Sequence, residues 1–184
     1  SWDFDDGDSS TKENPIHQFT DDGLYTVMLT VTDDDGDSDV ISKDIKVNNR
    51  KPEIAMSVSN EKVLTGENIE FTNDCTDSDG SIEYIEWIFD DGHNCSSNNV
   101  THKFTDDGSY IVILKAEDDD GDMSSVTQEI IVKNRKPECD FTFTPDDPTS
   151  TDEIQFNATG TDQDGNIKTW KWKFGDGEIV TGKD

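Results

Sequence analysis

Oxygen donors dominate the side chains that could carry chemistry in this sequence. Asp77-Ser78-Asp79-Gly80 and Asp118-Asp119-Asp120-Gly121-Asp122 are two tight carboxylate runs, and Asn49 adds an amide oxygen. Such hard donors suit Ca²⁺, which takes about six to eight oxygens from carboxylates, carbonyls and water. The same residues have a plainer use, since Asp and Gly cap turns in any loop-rich protein. An EF-hand is excluded: with Gly36, Gly80 or Gly121 at the sixth loop position, the first ligand would fall on Val31, Cys75 or Ala116, none of which offers a side-chain oxygen. Trp87, Phe89 and Tyr110 could stack against a sugar, but their alternate spacing assigns them to a core. His17 and His102 read as structural, and His93 as a turn residue. No metalloprotease, nucleophile-elbow or phosphate-loop motif occurs, so no intrinsic catalysis is expected.

These residues are positioned by a repeat. Trp2-Asp3-Phe4-Asp5-Asp6-Gly7 returns as Trp87-Ile88-Phe89-Asp90-Asp91-Gly92 and as Trp172-Lys173-Phe174-Gly175-Asp176-Gly177, a constant period of 85 residues. His17-Gln18-Phe19 and His102-Lys103-Phe104 keep that period, as do Asn49-Arg50-Lys51-Pro52-Glu53 and Asn134-Arg135-Lys136-Pro137-Glu138. The organisation expected is the C-terminal half of one repeat (1–48), a complete repeat (49–133) and the N-terminal half of another (134–184). The Asn-Arg-Lys-Pro segments are short joints, and proline restricts their backbone.

Within the complete repeat, apolar residues fall at every second position: Ile54, Met56, Val58; Ile69, Phe71; Ile85, Trp87, Phe89; Tyr110, Val112, Leu114, Ala116; Ile130, Val132. Period two means half-buried strands, and Asp-Gly breaks separate them. About seven strands per repeat predict an all-β fold of tandem immunoglobulin-like antiparallel sandwiches, one complete copy flanked by two partial ones. Trp87 on the third strand and the tyrosine-corner spacing of Asp106 to Val112, repeated at residues 21 to 27, narrow the topology. In that topology the linker, the loop between strands B and C, and the loop between F and G share one pole. Asn49, Asp77 with Asp79, and Asp118 to Asp122 therefore converge there, beside the preceding domain's turns such as Asp21-Asp22-Gly23.

Composition bounds the partners. Asp and Glu number 43 against 15 Lys and Arg, for a formal charge of -28, and this repels a phosphate backbone rather than binding it. Nucleic acid is excluded as a partner, and no apolar run suffices for membrane insertion. With 30% hydrophobic residues the chain approaches the composition of disordered proteins, yet four Trp and nine Phe in regular alternation argue for folded cores. The opening Ser1-Trp2-Asp3-Phe4 reads as the interior of a strand, so the chain is expected to be a piece of a longer protein. Sequons at Asn94, Asn99 and Asn157 fit an exported surface. Cys75 and Cys95 both belong to the middle copy, which points towards a disulfide; their expected places at opposite poles point against it.

Asp77-Ser78-Asp79-Gly80, the Trp-x-Phe-Asp-Asp-Gly of 87–92, His102-x-Phe104, Gly108-x-Tyr110-x-Val112-x-Leu114 and Asp118-Asp119-Asp120-Gly121 resemble the polycystic kidney disease (PKD) domain along the whole chain. The family's usual Trp-Asp-Phe-Gly-Asp-Gly is nearest in the third copy, whereas Asp5 and Asp90 replace its first glycine in the others. The resemblance implies non-catalytic modules of secreted or cell-surface proteins. It also implies a calcium site at Asn49, Asp77, Asp79 and Asp118, with partial equivalents at Asp33, Asn134, Asp162 and Asp164. The resulting expectation is an extracellular spacer or interaction module stiffened by Ca²⁺. The alternative is a polysaccharide- or protein-binding accessory module of a secreted hydrolase. Neighbouring domains are the first partners expected, then surface proteins or polysaccharide, and the two partial repeats offer head-to-tail self-association.

Overall fold

The computed structural model describes residues 1–182. Among them there are strands and no helix, hence no helix long and apolar enough to cross a membrane. The first copy contributes β1 (Trp2–Asp3), β2 (Ser9–Ser10), β3 (Gly23–Thr32) and β4 (Ser38–Val47). The middle copy contributes β5 (Met56–Val58), β6 (Lys62–Leu64), β7 (Ile69–Asn73), β8 (Ile82–Phe89), β9 (Asn94–Cys95), β10 (Val100–His102), β11 (Gly108–Asp118) and β12 (Met123–Lys133). The last copy contributes β13 (Glu138–Thr144), β14 (Gln155–Thr161), β15 (Trp170–Lys173) and β16 (Ile179–Gly182).

The middle copy is a complete two-sheet sandwich. One sheet has the order β10-β7-β5 and the other β6-β12-β11-β8-β9. Alternation buries one face of each sheet against the other. Ile69, Phe71, Trp87, Phe89, Phe104, Val112, Leu114 and Ile130 form the sealed centre, and Trp87 is wholly buried, its indole N–H donating to the Ser97 carbonyl at 3.0 Å. Both tyrosine corners form: the Tyr110 hydroxyl donates to the Asp106 carbonyl at 3.0 Å, and the Tyr25 hydroxyl to that of Asp21 at 3.1 Å.

Two details exceed the seven strands expected. The first strand splits, so that β5 pairs with β7 whereas β6 crosses to lie parallel to β12, and the short β9 extends the second sheet beside β8. The aspartates that replace the first turn glycine have a function of their own. Asp5 takes a left-handed φ of 66°. The Asp5 carboxylate accepts from the Thr26 N–H and that of Asp90 from the Ile111 N–H, both at 2.8 Å, pinning each hairpin turn to the strand opposite. Cys75, Cys95 and Cys139 are all free thiols; Cys75 and Cys95 pack at the margin of the core instead of forming a bridge.

The flanking copies each present one part of this architecture. The first is a single sheet of order β2-β1-β3-β4, and the last comprises the pairs β13-β14 and β15-β16. Their inward faces are correspondingly open. Ile45, whose equivalent Ile130 is fully buried, is 42% exposed, and Phe141 is 53% exposed.

Candidate metal centre

Period-two geometry leads directly to Asp118. It continues the inward face of β11 after Val112, Leu114 and Ala116, so a carboxylate stands where the next core side chain would be. The pairing of β11 with β8 shifts register between Glu117 and Asp118, and Asp118 ends 2% exposed. Bulges of this kind re-aim side chains at sites. One Asp118 oxygen accepts from the Asp122 N–H at 2.7 Å, the other from the Asn49 side-chain amide at 3.0 Å. Burial opposes the charged form, but the bonds from Asn49 and from loop N–H groups outweigh it and hold the Asp118 carboxyl below its ordinary range.

Three segments meet here. Asn49 also donates to Asp122 at 3.3 Å, and the next residue, Arg50, donates its N–H to Asp79 Oδ2 at 3.0 Å. The Asp79 N–H donates to Asp77 Oδ1 at 3.3 Å. Loops 77–81 and 118–122 are tied together by Ser81 and Asp119, which exchange an N–H to carboxylate bond of 2.7 Å and an N–H to carbonyl bond of 3.1 Å. Gly80 is demanded by this approach, because a Cβ there would lie 2.2 Å from Asp119 Oδ1. Asn49, Asp77, Asp79 and Asp118 thus share one pole. Asp77 Oδ2 and Asp79 Oδ1 are buried there with no hydrogen-bond partner. Buried carboxylate oxygens without donors are costly, and the oxygen-only donor set is of the kind that suits the calcium expected from the family resemblance.

The third copy repeats the arrangement. The Arg135 N–H donates to Asp164 Oδ2 at 2.7 Å, the Asp164 N–H approaches Asp162 Oδ1 at 3.5 Å, and Asp164 Oδ1 is again buried without a partner. Here the preceding domain enters the site: the Thr65 hydroxyl donates to Asp164 Oδ2, while the Arg135 side chain donates to the Thr65 carbonyl at 2.7 Å. The bonds from Thr65 and Arg135 lower the Asp164 pKa, and the contact with Asp164 raises that of Asp162. Asn134 lines the adjoining cleft with Arg135 and Gln163. In the first copy Asp33 only closes its own turn, accepting from the Asp35 and Asp37 N–H groups at 3.1 and 2.8 Å.

At the other joint Asp22 of the first copy meets Asp120 of the middle copy. A carboxyl hydrogen bond with Asp22, then burial and the charges of Asp22, Asp119 and Asp118, push the Asp120 pKa up to about 6. Sequence reasoning brought the run from Asp118 to Asp122 to this pole without separating the parts of Asp119 and Asp122, and it missed Ser81 and Thr65. Nothing in the sequence marks Thr65 as a donor to a residue 99 positions away.

Tandem immunoglobulin-like sandwiches joined at acid-rich poles define a class of modular β-repeat. The chain belongs to the PKD domain family, whose model matches residues 1–47, 49–133 and 134–184. It is similar to the pre-pro-metalloprotease PrtV of Vibrio cholerae, with 36% identity over 129 residues covering 70% of this chain and 14% of that protein. It is also similar to the collagenase ColA of Clostridium perfringens, with 34% identity over 90 residues covering 48% of this chain and 8% of that protein. The chain thus spans a small fraction of the length of these relatives. Among solved structures, the PKD1 domain of Vibrio anguillarum Epp aligns with a TM-score of 0.42 and 24% identity, over 47% of this chain and 98% of that domain.

Proposed function

We propose that this chain is a non-catalytic spacer and interaction segment of a larger extracellular or surface protein, and that calcium stiffens its joints. The observation that carries the reading is the sharing of one acidic site between two domains: Thr65 of the middle copy and Arg135 of the joint both engage Asp164 of the third. Calcium, when bound, would neutralise carboxylates that otherwise repel one another across the joint. Asn49, Asp77, Asp79 and Asp118 would hold it at the first joint, and Asn134, Asp162 and Asp164 at the second. The short Asn-Arg-Lys-Pro segments restrict the remaining freedom. Small-angle scattering on a polypeptide of three whole repeats tests the reading. The distance distribution should lengthen or narrow with calcium; an unaltered distribution alongside a raised melting point would leave only local stabilisation.

A second reading is an accessory module of a secreted hydrolase that binds polysaccharide or protein. It is favoured by the relatives, whose names are those of a metalloprotease and a collagenase. Tyr84 is the one exposed aromatic among the described residues of the middle copy. In the last copy Phe141, Phe156, Trp170, Trp172 and Phe174 line a cavity of about 440 Å³. All five of these positions match residues in or against the middle copy's core, which makes the cavity an open core rather than a built sugar platform. Retention of the chain on immobilised polysaccharide, abolished by Tyr84→Ala, would favour this second reading over a pure spacer.

A further inference from the structure

The imidazoles of the middle copy form a constellation of a different chemical kind. The His102 ring is stacked on Phe89, with centroids 4.1 Å apart, and lies edge-on to Phe104 at 4.8 Å, so its plane is fixed. Its Nε2 stands 2.7 Å from Asp91 Oδ2. Asp91 sits in the turn between β8 and β9, closed by bonds from the Gly92 N–H to the Phe89 carbonyl and from the Phe89 N–H to the His93 carbonyl, at 3.0 and 2.9 Å. The second Asp91 oxygen accepts from the His93 N–H at 3.2 Å and stands 3.1 Å from His93 Nδ1. One carboxylate therefore holds two imidazoles. The His93 side chain is 73% exposed, yet its ring turns inwards to within 5.2 Å of that of His102.

We propose that Asp91, His93 and His102 form a site for a borderline transition-metal ion such as Zn²⁺. Their ligating atoms lie within 4.8 Å of one another. Ligands about 2.0–2.1 Å from a tetrahedral zinc ion are roughly 3.3 Å apart, so small side-chain rotations complete the arrangement. Two imidazole nitrogens and one carboxylate oxygen select Zn²⁺ over Ca²⁺, which prefers oxygen alone. Binding requires a deprotonated carboxylate and neutral imidazoles. The eight residues of β8 separate this site from the acidic pole by about 25 Å. Three protein ligands at a surface leave a fourth position for water or for a donor from another molecule.

The repeat supplies an internal comparison. The first copy has Asp6, Asp8 and His17 in the equivalent places, with His17 stacked on Phe4 at 4.0 Å and 2.6 Å from Asp6. The stacked histidine and its aspartate are common to both copies and are structural. What the middle copy adds is the second imidazole, where the first has Asp8.

The test is calorimetric titration of the whole chain with Zn²⁺, in saturating calcium to occupy the oxygen-only pole, with the visible absorption of bound Co²⁺ as a second readout. One ion per chain is expected. His93→Asn, at an exposed position, should leave the metal-free melting point unchanged and weaken binding by at least about tenfold, the loss that even an outer-shell partner causes. Asp8→His should raise the stoichiometry to two by building the same site in the first copy. Zinc uptake indifferent to His93→Asn, absence of a zinc heat, or a stoichiometry unmoved by Asp8→His would each overturn the proposal.

Discussion

Replacing Asp79 with asparagine separates the ion-binding role of the acidic pole from its turn-capping role. Asp79 Oδ2 accepts the Arg50 N–H, a bond that an asparagine oxygen retains, whereas Asp79 Oδ1 is buried without a partner near the equally unpartnered Asp77 Oδ2. Asp79→Asn therefore removes one negative charge from a crowded pole and little else. In chelator the variant should melt at or above the parent temperature, because like charges in a poorly solvated site repel. In about 5 mM calcium the order should reverse: extracellular modules bind with dissociation constants of about 0.1–1 mM, so the parent should gain about 1 to 2 kcal/mol by mass action. For a domain of this size that corresponds to a rise of roughly 5 to 15 °C. Scanning calorimetry of both proteins, at physiological salt to screen non-specific binding, reads the effect. A parent insensitive to calcium, or a variant that gains as much as the parent, would refute the assignment of Asp79 as a ligand.

The first joint should respond to pH in chelator. The Asp120 pKa, raised from 3.8 to about 6, makes the protonated contact with Asp22 fully present below the ordinary value and lost as pH rises through about 6. Scattering should show a tighter joint at about pH 5 than at about pH 7.5, and the difference should vanish in Asp22→Ala; a parent with identical profiles at the two pH values would count against it. The open faces of the flanking copies should drive self-association of this 184-residue polypeptide, because Ile45, Val31, Phe141 and Phe143 expose surface that the complete copy seals. Scattering across a wide concentration range should show growing mass, and a strictly monomeric chain throughout would end that expectation.

Alternation and spacing determined the sandwich by themselves. A strand that must bury one face writes that requirement at every second residue, so Ile69, Phe71, Trp87, Phe89, Val112, Leu114 and Ile130 were legible as core. The tyrosine corners were equally legible, since Tyr110 and Asp106 are four residues apart and the bond depends on local geometry. Topology brought the three acidic segments to one pole, although Asp118 read as part of a loop and only the structure showed it buried on the inward face of β11. Contacts between segments with no common period were decided only by tertiary structure. The crossing of β6 to β12, the demand that Asp119 makes on Gly80, and the reach of Thr65 into the site of Asp164 depend on how distant chain segments lie against each other. The turn of His93 towards Asp91 and His102 is of the same kind: a local hairpin carries two of the ligands, but the third comes from a strand whose position only the packed aromatic rings of Phe89 and Phe104 determine.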